Sequence, residues 1–126
     1  MQIQWYPGHM AKARRMLEEN LKLIDVVVEL VDARAPLATR NPDFDALFSQ
    51  KSRVILLNKS DLASAEQTKK WIEYYKAQNI NAIAFVSTSS AKRKAAVSLI
   101  EAAAADKVAK MKEKGVIKTV RAMVVG

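Results

Sequence analysis

The 126-residue chain has no cysteine. Disulfides, thiol nucleophiles and thiolate metal sites are therefore excluded, and a reducing compartment, the cytoplasm, is the expected location. Glycine and proline number three each, too few for fibrous or long disordered segments. No apolar run nears the roughly 20 residues that cross a bilayer. The best stretch, Ile24 to Val31, is broken by Asp25 and Glu29. The opening Met1-Gln2-Ile3-Gln4-Trp5-Tyr6-Pro7 lacks the basic and apolar regions of a secretory signal. A soluble protein with no membrane partner is expected.

What is present points to one compact domain: 50% of the residues are apolar and 27% are charged. The formal net charge of +8 attracts phosphate polyanions by counterion release, although several net charges also serve solubility alone.

Four short runs read as strands covered on both faces: Asp25–Val31, Arg53–Leu57, Ala82–Val86 and Val120–Val125. Helical patterns lie between and before them. Met10, Ala13, Leu17 and Leu21 recur at helical steps. Asn41-Pro42 reads as an N-cap followed by proline at the first helical position, and Ser64 with Gln67 has capping-box spacing. A last helix is expected from about Lys94 to Lys114, closed by Gly115. Alternating strands and helices predict an α/β fold. Its three layers are a mainly parallel sheet of about four strands and helices on both sides, in one domain over residues 1–126. In such sheets ligands bind at the carboxyl ends of the strands.

Asn58-Lys59-Ser60-Asp61 directly follows the run Val54-Ile55-Leu56-Leu57, which is the N-K-x-D pattern in the strand-exit context where it binds guanine. A carboxylate at Asp61 accepts hydrogen bonds from guanine N1–H and the N2 amine, a donor pair adenine lacks. Asn58 would contact the other edge of the base and tie the loop to its neighbours. Lys59 would lay its aliphatic stem across the purine face. After Ala84-Phe85-Val86 comes Ser87-Thr88-Ser89-Ser90-Ala91-Lys92, which contains an S-A-K sequence. There a backbone N–H donates to guanine O6, so Ser90, Ala91 and Lys92 join the candidate site. A serine-rich strand exit is also an ordinary helix cap.

The order of these motifs is inverted relative to ordinary GTPases, where the phosphate-binding loop comes first. Here the last strand leads to Gly126, the position of the first glycine in G-x-x-x-x-G-K-[ST]. No complete phosphate loop or Asp-x-x-Gly motif is found, and no metal ligand is assigned in this segment. Together with Trp5-Tyr6-Pro7-Gly8-His9-Met10-Ala11-Lys12-Ala13, Asp32-Ala33-Arg34-Ala35-Pro36 and Arg40-Asn41-Pro42, these motifs resemble the circularly permuted GTPases of the ribosome biogenesis GTPase A (YlqF) family over essentially the whole chain. The resemblance implies the N-terminal, guanine-recognising part of a GTPase domain, with the P-loop, switch segments and C-terminal RNA-binding domain lying outside it. It also implies GTP and GDP as ligands, Mg²⁺ in the complete protein, GTP hydrolysis, and action on the large ribosomal subunit and its rRNA. The segment alone is expected to hydrolyse GTP barely, if at all. Lys92-Arg93-Lys94-Ala95 departs from the glycine-containing turn that family members often carry after the last guanine motif.

His9 is the only histidine. The resemblance makes it a candidate for orienting the attacking water, whereas the Pro7-Gly8 turn before it suits a helix-start or RNA contact. Asp32 and Arg34 read as a structural ion pair, and Arg40-Asn41-Pro42 as a helix start. Lys12, Arg14 and Arg15 crowd one helix and are the candidate rRNA contact. A second basic cluster comprises Lys107, Lys110, Lys112, Lys114 and Lys118. The alternative function is a non-enzymatic RNA-binding module with a GTPase-like sheet. A doubly wound metabolic enzyme is a third reading, disfavoured by the lack of a glycine-rich first loop.

Overall fold

Short branched-apolar runs joined by amphipathic helices give a layered α/β arrangement, seen in a computed structural model that describes residues 1–6, 14–40 and 42–126. The elements are β1 (Gln2–Tyr6), α1 (Arg14–Leu21), β2 (Val26–Asp32), α2 (Pro36–Thr39), α3 (Asp43–Leu47) and β3 (Ser52–Asn58), followed by a 3₁₀ turn at Ser60–Leu62. Then come α4 (Ala65–Lys76), β4 (Asn81–Ala84), α5 (Ser90–Ala103), α6 (Ala105–Glu113) and β5 (Arg121–Val125). Among the described residues the strands form one sheet in the order β1-β5-β2-β3-β4, and every pairing is parallel. The last strand of the chain thus lies between the first two. All carboxyl ends share one edge.

The sheet has five strands rather than about four. The unpredicted one, β1, lies at the sheet edge, where Gln2 and Gln4 alternate with Ile3 and the branched-apolar signal of a doubly covered strand is missing. β4 stops at Ala84, two residues short of the expected end: the Phe85 amide still donates to Leu57 of β3, but its carbonyl accepts from Ser60 in the loop beyond that strand. The expected long last helix is two, broken at Ala104. Ala102–Ala105 favours helix locally, but the buried Ala104 packs against the sheet and ends α5 there. Pro42 sits at the N-cap position of α3 rather than at its first helical residue, and Asn41 is outside the described residues. The other ends follow their signals. Ser64 Oγ accepts the Gln67 amide at 3.3 Å, and Gly115 closes α6 at φ 77°.

One sheet face packs Val26, Val28, Val54 and Leu56 against Ala96 and Ile100 of α5. The opposite face carries two clusters. Ile55, Leu57 and Val31 meet Tyr75 of α4, while Val27, Met123 and Val125 meet Phe48 with Leu21 and Phe44. The two acids that interrupt Ile24–Val31 are both buried. Glu29 has a side-chain exposure of 1% and is gripped by Arg40 (Nε to Oε2, 2.6 Å) and by Arg53. Asp45 accepts from the same two guanidiniums at 2.6 and 3.0 Å, and the Arg40 guanidinium lies 5.7 Å from the centre of the Tyr75 ring. Arg40 is therefore the hub of a buried charge network rather than mainly a helix starter. Burying such ions is tolerable because each has a partner. No helix among the described residues is long and apolar enough to cross a membrane.

Candidate functional site

Parallel pairing brings three loops to the carboxyl edge. Asp32 of β2 is in register with Asn58 of β3, so Asp32-Ala33-Arg34 and Asn58-Lys59-Ser60-Asp61 leave the sheet side by side. The Ala33 amide donates to the Asn58 carbonyl at 2.8 Å. Asp32 makes a bidentate pair with Arg34, Nε to Oδ1 at 3.0 Å and Nη2 to Oδ2 at 2.6 Å, and also accepts the Arg34 amide at 2.9 Å. The Arg34 side chain and amide hold the Asp32 carboxyl well below the usual carboxylate range, against a smaller opposing effect of burial. Lys59 Nζ lies 3.9 Å from Asp32 Oδ2, so one carboxylate steadies both loops.

Lys59 has φ 58° and ψ 33°, a left-handed conformation uncommon outside glycine. It turns the chain sharply out of β3 into the 3₁₀ turn. Lys59 and Asp61 are exposed and Asn58 is half-buried. No ion pair joins Asp61 to another side chain among the described residues. The loop is fixed instead by Ser60, the variable position of the motif. Its amide and its hydroxyl both donate to the Phe85 carbonyl, at 3.2 and 3.1 Å, while the Phe85 amide donates to Leu57 at 2.9 Å. Ser60 thus links the Asn58–Asp61 loop to the exit of β4. From the sequence the tie is assigned to Asn58, and the only trace of the Ser60 contact there is a hydroxyl side chain at the variable position of the motif.

Beyond β4, Ser89 caps α5, its Oγ accepting the Lys92 amide at 3.2 Å. Ser90, Ala91 and Lys92 are exposed in the first turn of that helix. Helix geometry gives the first-turn amides no intrahelical acceptor. The Lys92 amide is taken by Ser89, which leaves those of Ser90 and Ala91 as the donors suited to an incoming carbonyl oxygen. Arg93 Nη1 donates to the Ser87 carbonyl at 2.8 Å and closes the turn.

At the end of β5, Gly126 has φ 136°, and a Cβ built there would lie 2.3 Å from the Leu30 carbonyl oxygen of β2. Only glycine fits this close approach. A small cavity of mixed lining lies beside it between the ends of β2 and β5, with Glu29, Thr39 and Arg40 as its polar side chains and Leu30, Phe44 and Val125 among its apolar ones.

His9 and Lys12 lie outside the described residues, as do the side chains of Arg14 and Arg15, whose backbone opens α1. Among the described residues no group of three or more His, Asp or Glu side chains is placed to hold a metal ion.

No family model matches the chain. Individual relatives do. A ribosome biogenesis GTPase A of Priestia megaterium is 48% identical over 128 residues, covering 100% of this chain and 44% of that protein. One of Bacillus cereus is 46% identical over 127 residues, covering 100% and 43%. Among solved structures, GNP-bound YlqF from T. maritima superposes with a TM-score of 0.62 at 35% identity, over 91% of this chain and 42% of that one. The chain therefore spans less than half the length of the relatives it matches.

Proposed function

We propose, from its 48% identity to a ribosome biogenesis GTPase A across the whole of this chain, that it forms the guanine-recognising part of a circularly permuted GTPase that acts in ribosome assembly. The observation that carries this reading is the exposed Asp61 at the sheet's carboxyl edge, on a loop held by Ser60, Phe85 and Asp32. In this reading Asp61 accepts guanine N1–H and the N2 amine. Asn58 meets the other edge of the base, the Lys59 stem covers its face, and the Ser90–Lys92 turn supplies a backbone donor to O6.

Gly126 would open the phosphate loop, since its lack of a side chain lets backbone amides approach β2 and the phosphates. Mg²⁺, when bound, would neutralise charge developing on the phosphates, with ligands from residues other than those described here. His9 is the proposed orienter of the attacking water, and Lys12, Arg14 and Arg15 the proposed contact to rRNA of the large subunit. The expected setting is the cytoplasm.

The test is titration of the full-length protein with GDP and ADP, with and without Asp61→Ala. Two charge-assisted hydrogen bonds at about 1.5–3 kcal/mol each predict that the variant loses roughly 10²–10⁴ in GDP affinity and almost nothing for ADP. Equal loss for both nucleotides, or no guanine preference in the parent, rejects the assignment.

A further inference from the structure

We propose that a second phosphate-binding surface exists at the opposite, amino-terminal edge of the sheet, a pocket built by Lys22, Lys107, Lys118 and Arg121 that takes the backbone of RNA. It rests on the ribosomal reading above for the identity of its ligand, but not on the guanine site, which lies at the other edge.

The pocket is assembled from distant parts of the chain: the segment after α1, helix α6, and the approach to β5. The carboxylate in its lining is Asp25, with a side-chain exposure of 1%. Asp25 Oδ1 is met by Lys107 Nζ at 2.8 Å and Lys118 Nζ at 3.1 Å, and Oδ2 accepts the Arg121 amide at 2.8 Å. Two lining ammonium groups therefore meet one carboxylate, and Lys22 and Arg121 add two further cations to the same lining. Lys51 stands nearby, its ammonium donating to the Ile24 carbonyl at 2.9 Å. Burial, and then the charge of Lys107, push the Lys51 ammonium below its usual range, an effect that Asp25 does not cancel.

Asp25 thus acts as a fixed post. It pins two lysines that would otherwise spread apart, and the positive charge remains in excess. Lys22 and the Arg121 side chain are exposed at the mouth. Pre-positioned cations lose less entropy on meeting phosphate than freely swinging ones. The rim carries apolar side chains in the open: Leu23, Val116 and Ile117, the last 96% exposed. A free phosphate ion has no use for such a rim, whereas RNA presents sugars and base faces beside its phosphates. This combination selects RNA.

The test uses the full-length protein, a fluorescein-labelled RNA hairpin and anisotropy titrations at several KCl concentrations, with GDP present. The charge-reversed pair Lys22→Glu with Arg121→Glu leaves the Asp25 contacts in place. Losing two phosphate contacts should lower affinity about 20-fold at physiological salt and flatten the slope of log K against log salt by about 1.4–1.8. The neutral pair Lys22→Gln with Arg121→Gln should move both in the same direction by less, which keeps the test sound if the reversed pair folds poorly. Unchanged GDP binding in the variants shows that the fold and the guanine site are intact. Unaltered affinity and slope in both pairs, no RNA binding by the parent, or displacement of the hairpin by millimolar inorganic phosphate alone overturns the proposal. A parent without guanine preference whose RNA binding still depends on Lys22 and Arg121 would sink the GTPase reading and leave this one standing.

Discussion

The Ser60 hydroxyl and the Ser60 amide converge on one acceptor, the Phe85 carbonyl, at 3.1 and 3.2 Å. A residue inside one proposed guanine loop is thereby bound to the strand exit that leads to the other. The two loops are coupled through a single oxygen.

Ser60→Ala should therefore damage recognition more than stability. It removes one neutral hydrogen bond, a loss of roughly 0.5–1.5 kcal/mol, while the amide contact stays. GDP affinity should fall several-fold and the GDP:ADP ratio should narrow, because Asp61 and the α5 amides no longer share a fixed spacing. Ser60→Thr, which keeps the hydroxyl, should restore both. If Ser60→Ala lowers the urea midpoint but leaves the nucleotide ratio intact, the coupling is structural only.

How far the sequence alone discloses this arrangement depends on which interactions are local. Strand runs such as Val54–Leu57 and helix caps such as Ser64 are written in neighbouring residues, and they appear where expected. The loop order at the carboxyl edge follows from parallel pairing, so Asn58–Asp61 and Asp32–Arg34 could be placed together. The Ser60–Phe85 contact spans 25 residues and the Asp25–Arg121 contact spans 96, and no periodicity announces either. Arg40 looked like part of a helix start because its buried partner Glu29 lies 11 residues earlier, inside an otherwise apolar strand. β1 was hidden for another reason. Its pairing along β5 comes from backbone bonds at a sheet edge, which demand no apolar signature.

Glu29→Gln should be among the most destabilising single changes. The side chain stays isosteric, but two guanidiniums with side-chain exposures of 8% and 10% lose their buried counterion and keep only the more exposed Asp45. Breaking a buried pair by removing one partner costs about 3–5 kcal/mol. Urea unfolding should show a midpoint shift of that size with little change in slope. A loss below about 1 kcal/mol would mean that Asp45 or water already satisfies Arg40 and Arg53.

Acid should unfold the protein partly through Asp25. Burial raises its pKa, but the hydrogen bonds from Lys107, Arg121 and Lys118 outweigh that and hold the folded carboxyl below its ordinary range. A depressed folded pKa means that the stabilisation is present in full above the unfolded pKa. It is lost as pH falls from there through the folded value. Stability should therefore be level with respect to this group above about pH 5 and decline below pH 4. Asp25→Asn should be less stable than the parent at neutral pH, and the difference should shrink as the pH falls below 4. A difference that is constant across pH 3–7 would show that Asp25 acts through shape and not charge.

Gly126→Ala tests the geometry at the end of β5. The residue has φ 136°, where an L side chain is strained, and its Cβ would sit 2.3 Å from the Leu30 carbonyl oxygen. That oxygen belongs to the backbone of β2, which is paired on both sides and buried in the sheet centre, so it cannot swing aside as a side chain would. The strain must be relieved by moving the end of β5 away from β2, disturbing the Glu29–Val125 register beside the small cavity there. The backbone conformation alone costs about 1–3 kcal/mol, and each kcal/mol lowers the melting temperature of a domain this size by roughly 4 °C. In the full-length protein GDP and GTP affinity should fall with it, since any phosphate loop starting here would be displaced. Thermal melts and nucleotide titrations of Gly126→Ala check both effects. A variant that melts within about one degree of the parent and binds nucleotide equally well would show that β5 ends free of β2, and that this glycine has no part in the site.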